Sequence, residues 1–163
     1  MSHNAFIAIG SNLGIPKENC IEAIDIISSN PDIKITSKSS FYQTAPVGNT
    51  KQDWFINAVI KVSTQLNSNI LLSVLLKIES KMGRIRKEKW GPRIIDLDLL
   101  FYDNIVIKQK DLTLPHPEIQ KRNFVLKPLN EIGENYIHPT LQKSISTLLK
   151  ESKDNSVVKK INY

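Results

Sequence analysis

The most constraining stretch of the sequence is residues 94–101, Ile-Ile-Asp-Leu-Asp-Leu-Leu-Phe, in which two carboxylates interrupt an apolar run. Its β-branched and aromatic residues predict a β-strand, and successive side chains of a strand point to opposite faces. Asp96 and Asp98 therefore share one face, with Cα atoms roughly 6 to 7 Å apart, a spacing at which both can bind one metal ion or bridge a pair of ions. The other face is expected to enter a core through Leu97, Leu99 and Phe101.

The two carboxylates have two interpretations from the pattern alone. Two like charges on one face repel, and burying them unpaired would cost several kcal/mol, so a cation is expected between them. A solvated strand face, or salt bridges to nearby lysine and arginine residues, explains the same pattern equally well.

Size and composition restrict the function classes. A chain of 163 residues fits one domain, which we expect to span residues 1–163. No apolar run approaches the ~18 residues of a membrane span, and no signal-peptide pattern is present, so we expect a cytoplasmic protein without a membrane partner. The single cysteine, Cys20, is expected in the core. A net charge of +6 indicates an anionic partner, which is a nucleotide, a nucleic acid or a phosphorylated metabolite.

The predicted elements repeat the order strand, helix, strand. The first pass comprises a strand at 5–9, a helix at 16–29 and a strand at 33–41. The second comprises a strand at 55–62, a helix from about 67 to 82 and the strand at 94–101. A hairpin through 105–107, a last helix at 141–149 and a flexible tail from about residue 151 follow. This order predicts an α+β fold, a ferredoxin-like βαββαβ sandwich with an added hairpin and C-terminal helices.

The strand at 55–62 has one face that differs from the other. Phe55 and Asn57 share it, and an aromatic ring beside an amide can stack on and hydrogen-bond a planar heterocycle. A partly packed aromatic residue and a surface asparagine are the commoner explanation of this pattern.

The segment 84–93 is dominated by arginine and lysine and interrupted by Trp90. Arginine offers a planar fork to phosphate oxygens, so the segment is suited to closing over a polyphosphate. A solvated charge run and contact with a DNA or RNA backbone remain open interpretations.

Two isolated titratable residues also stand out. His116 lies between two prolines, a rigid surface setting that fits poorly with a buried structural histidine. Glu79 falls near the C-terminal end of its helix, where the macrodipole disfavours an anion, although Lys77 and Lys81 beside it are a sufficient explanation.

Together these motifs resemble the 6-hydroxymethyl-7,8-dihydropterin pyrophosphokinase family, folate-pathway enzymes that move a diphosphate from ATP to a pterin alcohol. The resemblance runs from Ala5 to about Pro139. It rests on the following segments: Gly10-Ser-Asn-Leu-Gly14, Ser40-Phe-Tyr-Gln-Thr-Ala-Pro46, Phe55-Ile-Asn-Ala58, Gly83-Arg-Ile-Arg86, Trp90-Gly-Pro-Arg-Ile-Ile-Asp-Leu-Asp98, Pro115-His-Pro117 and Arg122-Asn-Phe124.

The resemblance implies a role for each matching position. Two Mg²⁺ ions would be held by Asp96 and Asp98, which it also marks as catalytic with Arg84 and Arg93. The implied ATP-binding set is Glu79, Arg84, Arg86, Trp90, Arg93, Leu99, His116 and Arg122. The implied pterin-binding set is Thr44, Ala45, Pro46, Val47, Phe55, Asn57, Trp90 and Phe124. ATP and the pterin alcohol would be the substrates. Apart from the resemblance, we expect a monomer that binds no nucleic acid.

A nucleic-acid-binding module on a ferredoxin-like sheet is the alternative from a different functional class. The basic segment and the exposed aromatic residues favour it. The two same-face aspartates argue against it, because they would repel a phosphate backbone unless metal ions intervened.

Overall fold

Two passes of strand, helix and strand build the central sheet of the computed structural model, which describes residues 2–45, 53–83 and 94–161. The first pass and its extension are β1 (His3–Ser11), α1 (Pro16–Ser29), β2 (Ile33–Lys38) and β3 (Tyr42–Thr44). The second is β4 (Phe55–Thr64), α2 (Ser68–Lys81) and β5 (Asp96–Tyr102). The remainder is β6 (Ile107–Lys108), β7 (Thr113–Leu114), a 3₁₀ turn (Ile119–Lys121), α3 (Asn123–Gly133), α4 (Ile145–Glu151) and β8 (Val158–Lys160).

The sheet is antiparallel, in the order β5-β1-β4-β3-β8, and β2 also pairs with β4. Both β2 and β3 lie along the same edge of β4, β2 beside its C-terminal half and β3 beside residues 55–57. The predicted combination of α-helices and β-strands in one fold is confirmed.

Helices cover the two faces of the sheet separately. α1 and α2 pack on one face through Cys20, Ile27, Leu71 and Leu75, all fully buried. α3 and α4 pack on the other face, where Leu126 and its neighbours form a second, smaller core. Within the described ranges, no helix is both long and apolar enough to cross a membrane.

Local sequence signals explain where the first two helices begin. α1 starts at Pro16, whose fixed φ suits a first turn, and its bounds match the predicted range of 16–29. α2 is capped by Asn67, whose side-chain oxygen accepts a hydrogen bond from the Ile70 backbone N–H at 2.9 Å.

A β-bulge corrects the predicted facing of β5. The pairing with β1 shifts register between Phe6 and Ile7, which leaves Leu100 as an extra residue. Leu97 and Leu99 enter the core under α1 and α2, as predicted, but Phe101 packs with α3 and α4 on the opposite face. Strict alternation fails here because the bulge reverses the facing of every later residue.

Three predicted elements differ from the structure. The strand predicted at 33–41 is two strands, because Ser39 exchanges hydrogen bonds with the Val59 backbone and the chain then bends. The segment 105–107 is predicted to form a hairpin with the strand before it, but β6 pairs with β7 and not with β5. The last helix begins at Ile145, four residues later than predicted, because the Ser144 hydroxyl accepts a hydrogen bond from the Thr147 backbone.

The tail predicted to be flexible from about residue 151 instead contributes a strand. β8 pairs with β3, matching Val158 with Thr44 and Lys160 with Tyr42. A hydrogen bond from the Ile161 N–H to the Phe41 carbonyl oxygen, 2.9 Å long, extends this pairing. The Lys- and Ser-rich composition indicated disorder, but an unpaired sheet edge offers such a tail hydrogen-bond partners that local sequence does not show.

Glu131 of α3 ties the bend before β3 to the helix. One carboxylate oxygen accepts from the Ser40 N–H and hydroxyl at 2.6 and 2.8 Å, and the other accepts from the Tyr42 hydroxyl at 2.8 Å. Partial burial tends to raise the pKa of Glu131, but these hydrogen bonds and the charge of Lys160 outweigh it and leave the pKa lowered. The ionised form is therefore the one that holds β3 in place.

We expect Glu131→Gln to lower the free energy of unfolding at pH 7, because the neutral amide makes weaker hydrogen bonds than the carboxylate. The loss should be only about 1 kcal/mol, because water screens charges at an exposed site. A lowered native pKa contributes stability above the unfolded value, about 4.5, and that contribution is lost as pH falls through the native pKa. Urea unfolding at pH 7 and pH 3 should therefore show the difference from wild type shrinking. The exposed Glu22→Gln on α1 is the control, and a difference independent of pH would contradict the assignment.

Candidate functional site

A cavity of about 310 Å³ lies between the sheet and the N-terminal end of α3. Its floor is the sheet face that also carries α3 and α4, at the end of the sheet that α3 leaves uncovered. The lining residues come from four adjacent strands, from the 3₁₀ turn and α3, and from the C-terminal tail. They are Ala8, Ile9, Gly10, Thr44, Ala45, Phe55, Asn57, Ala58, Asp96, Asp98, Glu118, Lys121, Arg122, Phe124, Val125 and Asp154.

The floor of the cavity is set by the register of β1 between its two neighbours. Gly10 pairs with Asn57 of β4 on one side and with Asp96 of β5 on the other, and Ala8 pairs with Asp98. Paired residues on adjacent strands point to the same face. An amide and two carboxylates are thereby grouped around two very small side chains, which leave the space above them open.

Asp96 and Asp98 both line the cavity and both are half-buried. The prediction that they share one strand face is confirmed, since Leu97 between them is buried on the opposite side. The strand β5 therefore contributes two carboxylates to the cavity floor.

Asn57 is held in one orientation. It is 7% exposed, and its side-chain amide donates a hydrogen bond of 2.8 Å to the Thr44 hydroxyl on β3. A Cβ added to Gly10 would lie 2.8 Å from the Asn57 side-chain oxygen, which is closer than packed atoms approach. Glycine at position 10 therefore provides the space that the asparagine side chain occupies.

Two aromatic residues and two cations lie around the cavity. Phe55 of β4 and Phe124 of α3 both line it, and both are half-buried. The Arg122 guanidinium carbon lies 5.6 Å from the centre of the Phe124 ring, within the range of a cation–π interaction. Lys121 precedes Arg122, so two positive charges border a cavity that has two carboxylates on its floor.

His116 lies beside this cluster. Its backbone N–H donates to the Leu100 carbonyl of β5 at 2.9 Å, and its ring Nδ1 accepts from the Glu118 N–H at 3.1 Å. Burial, followed by the charge of Arg122, lowers the pKa of His116 despite the opposing charges of Glu118 and Asp96. The imidazole is therefore neutral at pH 7, and its Nε2–H is left as a donor.

Two other residues of the predicted site are placed away from the cavity lining. Glu79 is 3% exposed, and its carboxylate accepts a hydrogen bond of 2.8 Å from the Leu97 N–H at the start of β5. Leu99 is 4% exposed and packs in the core beneath α1 and α2. Glu79 thus supports the strand that carries the two aspartates, and the Leu99 side chain faces away from them.

The remaining residues of the predicted site divide into two groups. Thr44 and Ala45 line the cavity beside Asn57. The other predicted residues lie outside the described part of the chain: Pro46, Val47, Arg84, Arg86, Trp90 and Arg93.

Sequence reasoning missed several residues that line the cavity. Gly10 begins one of the family motifs, but neither Gly10 nor Ala8 was predicted to line the site, because small residues in a strand become informative only once their cross-strand neighbours are known. Lys121 and Glu118 have the residue types of an ordinary protein surface, so the sequence offered no reason to assign them to a site. Asp154 lies in the tail predicted to be flexible, so its place in the lining could not be anticipated.

The donor atoms of the cavity floor suit Mg²⁺. This ion prefers oxygen ligands and is usually bound by one or two carboxylates together with substrate phosphates. Among the described residues, no group of three or more His, Cys, Asp or Glu side chains is placed to hold a metal by itself. A pair of aspartates therefore fits an ion that arrives with a phosphorylated ligand.

Comparison with known proteins gives a consistent result. A family model described as 7,8-dihydro-6-hydroxymethylpterin-pyrophosphokinase (HPPK) matches residues 6–134. The chain is 39% identical to the 2-amino-4-hydroxy-6-hydroxymethyldihydropteridine pyrophosphokinase of Haemophilus influenzae, covering 95% of this chain and 96% of that one. It is also 39% identical to the Methylorubrum extorquens protein of the same name, covering 82% and 84% respectively.

Solved structures show the same fold. The HPPK-DHPS protein of Plasmodium falciparum, crystallised with pteroate, superimposes with a TM-score of 0.74 at 16% identity. The match covers 93% of this chain and 42% of that one, so the chain spans less than half of this structural relative. At this identity the likeness concerns the fold alone.

We expect Gly10→Ala to lower the free energy of unfolding by about 1 to 3 kcal/mol, because the added methyl group overlaps the Asn57 side chain. A double-mutant cycle with Asn57→Ala isolates this overlap, since alanine at position 57 leaves space for the methyl group. Urea unfolding should therefore show a smaller effect of Gly10→Ala in that background. Equal effects in both backgrounds would contradict the contact.

Proposed function

The chain belongs to the 7,8-dihydro-6-hydroxymethylpterin-pyrophosphokinase family, and we propose that the cavity on β1, β3, β4 and β5 is where it carries out the reaction of that family. The chain transfers diphosphate from ATP to 6-hydroxymethyl-7,8-dihydropterin and yields AMP and the pterin diphosphate, a step of folate biosynthesis. The observation that carries the site assignment is the row formed by Asn57, Gly10 and Asp96 across three strands. It supports the proposal because it puts an amide that would bind a heterocycle next to a carboxylate that would bind a metal ion.

The pterin ring is assigned to the end of the cavity near β4. Phe55 and Phe124 line this end and supply aromatic faces for stacking, and Asn57 supplies polar atoms for the ring edge. The hydrogen bond from Asn57 to Thr44 holds the amide in place before the ligand arrives. A preorganised amide loses little freedom on binding, which favours affinity.

The triphosphate is assigned to the end of the cavity that contains the charged groups. Asp96 and Asp98 would hold two Mg²⁺ ions, which would neutralise phosphate charge and favour ionisation of the attacking hydroxymethyl group. Arg122 and Lys121 offer further positive charge to phosphate oxygens from the opposite wall. The neutral His116 would donate from Nε2 to a phosphate oxygen without adding charge.

In-line attack of the hydroxymethyl oxygen on the β-phosphorus needs the alcohol and the phosphate to be aligned. Because β1 pairs with β4 on one side and β5 on the other, the rigid sheet fixes the distance between the pterin end and the phosphate end. Catalysis by positioning and charge neutralisation requires little more, so a strong side-chain base is not needed.

Six further residues belong to the same proposal and lie outside the described residues. Arg84, Arg86, Trp90 and Arg93 would close on ATP, with Trp90 also near the pterin, and Pro46 and Val47 would complete the pterin pocket. Their support is the agreement of the sequence motifs with the family, and their function would be to exclude water, which otherwise competes with the alcohol.

The remaining proposals concern the architecture and its setting. The order β5-β1-β4-β2, with α1 and α2 on one face, supports a ferredoxin-like description of the central sheet. We further propose that residues 1–163 act as a single domain and as a monomer in the cytoplasm, without nucleic acid as a partner.

The reaction and the metal assignment can be tested together. Incubated with Mg²⁺, ATP and the pterin alcohol, the protein should release AMP, and Asp96→Asn and Asp98→Asn should each lower kcat at least about 100-fold, because each loses a charged metal ligand. Mg²⁺ with a non-hydrolysable ATP analogue should raise the Tm of wild type more than that of either variant. Asp25→Asn, exposed on α1, is the control.

Release of ADP, or of no nucleotide, by wild type would contradict the function. Near-normal turnover by either aspartate variant would contradict only the metal assignment. Micromolar binding of RNA in the absence of turnover would favour the nucleic-acid alternative.

The aromatic assignment predicts a selective loss of pterin affinity. Phe124→Ala removes one stacking face, and stacking of a heterocyclic base on an aromatic side chain contributes about 1 to 3 kcal/mol. We therefore expect the KM for pterin to rise roughly 5- to 150-fold, with the KM for ATP changed by less than about twofold. Steady-state kinetics measures both KM values, with pterin varied at saturating ATP and ATP varied at saturating pterin. Ile137→Ala, which is half-exposed outside the cavity lining, is the control, and an equal rise in both KM values would contradict a stacking role.

A further inference from the structure

The C-terminal segment, residues 152–161, bridges two walls of the cavity. At its far end, β8 pairs with β3, and the Ala45 N–H donates to the Val157 carbonyl oxygen at 3.2 Å. The Lys127 ammonium group of α3 donates to the Val158 carbonyl oxygen at 3.3 Å. The segment therefore contacts both the β3 wall, which carries Thr44 and Ala45, and the helix that forms the opposite wall.

Asp154 is the residue of this segment that lines the cavity. One carboxylate oxygen accepts a hydrogen bond of 2.7 Å from the Asn123 N–H in the first turn of α3. The other oxygen accepts from the Ser156 N–H and hydroxyl at 2.8 and 2.7 Å. The Asn123 side-chain amide also donates to the Asp154 carbonyl oxygen at 3.1 Å.

These bonds fix a carboxylate at the N-terminal end of α3. Burial tends to raise the pKa of Asp154, but the hydrogen bonds from Asn123 and Ser156 outweigh it and leave the pKa lowered. The group is therefore ionised at pH 7. An anion at a helix N-terminus is favoured by the macrodipole and satisfies a backbone N–H that has no partner within the helix.

Asn123, the residue that Asp154 holds, lies in the sequence between two residues whose side chains face the cavity. Asn123 is flanked by Arg122 and Phe124, both of which line the cavity. A shift of the Asn123 backbone would move the two neighbours together, because they share its peptide bonds. The Phe124 ring would then change its position in the cavity lining, which it shares with Phe55.

We propose that Asp154 is a positioning residue for the pterin end of the cavity, holding the first turn of α3 so that Phe124 and Arg122 face the ligand. The proposal rests on the assignment of the pterin site to this cavity. Asp154 acts through Asn123 and not by touching the reacting atoms. The C-terminal segment thereby supplies part of the specificity of the site although it carries none of the family motifs.

Asp154→Ala and Asp154→Asn provide the test. Alanine removes every acceptor of the carboxylate, whereas asparagine keeps one oxygen for the Asn123 N–H. We expect alanine to raise the pterin dissociation constant about tenfold, as partial loss of a charge-assisted hydrogen bond would, and asparagine to stay within about threefold of wild type. Titration of the pterin alcohol in Mg²⁺ and a non-hydrolysable ATP analogue measures this, and KM and kcat are compared in steady state.

Two further variants keep the result interpretable. Ser156→Ala removes a single bond to the carboxylate, and an about threefold weaker pterin affinity is expected if Asp154→Ala fails to fold. Glu151→Gln, an exposed partner of Lys143 just before the segment, should leave affinity unchanged. The expected pattern is a loss in pterin affinity, a smaller loss in ATP affinity and a nearly constant kcat, because Arg122 shares the phosphate groups with the metal ions and Lys121.

The inference is overturned if Asp154→Ala binds pterin within twofold of Glu151→Gln. It is also overturned if pterin and ATP affinity fall equally and in parallel with Tm, since that pattern indicates general destabilisation, or if Asp154→Asn loses as much affinity as alanine. If Asp154→Ala does not fold, unchanged pterin affinity in Ser156→Ala overturns it. Failure of wild type to bind pterin would instead contradict the proposed function.

Discussion

The structure depends above all on the antiparallel register of β1 between β4 and β5. That register brings Gly10 between Asn57 and Asp96, three residues far apart in the sequence. A slip by one residue would turn the carboxylates toward the core beneath α1 and α2, where they could not be solvated. The apolar faces of the three strands prevent such a slip, so the packing of the core determines the geometry of the cavity.

The two faces of the sheet have different functions for the same reason. One face is closed by α1 and α2 and contains the larger of the two apolar cores, which makes it a rigid support. The other is only partly covered by α3 and α4, and the uncovered end is the cavity. Glu79 links the two sides, because its buried carboxylate holds the β5 backbone at Leu97, between Asp96 and Asp98.

The walls of the cavity depend on contacts that are remote in sequence. Glu131 holds the bend before β3, the C-terminal segment pairs with β3, and Asp154 holds the first turn of α3. Each of these contacts is polar and lies near the surface, unlike the apolar packing under the floor. The floor is therefore the rigid part of the site, and the walls are where substitutions should change affinity without unfolding the chain.

The sequence alone determined the α+β class, the bounds of α1, the shared face of Asp96 and Asp98, and the motifs that indicate the family, because these depend on local periodicity and short-range spacing. It could not determine the facing of Phe101 or the partner of 105–107, because a bulge and a positive φ at Asp103 interrupt the local patterns. Nor could it determine the roles of Gly10, Lys121 and Asp154. Their significance arises only from cross-strand and tail contacts, which tertiary structure alone decides, since no local pattern records which distant residue will lie opposite.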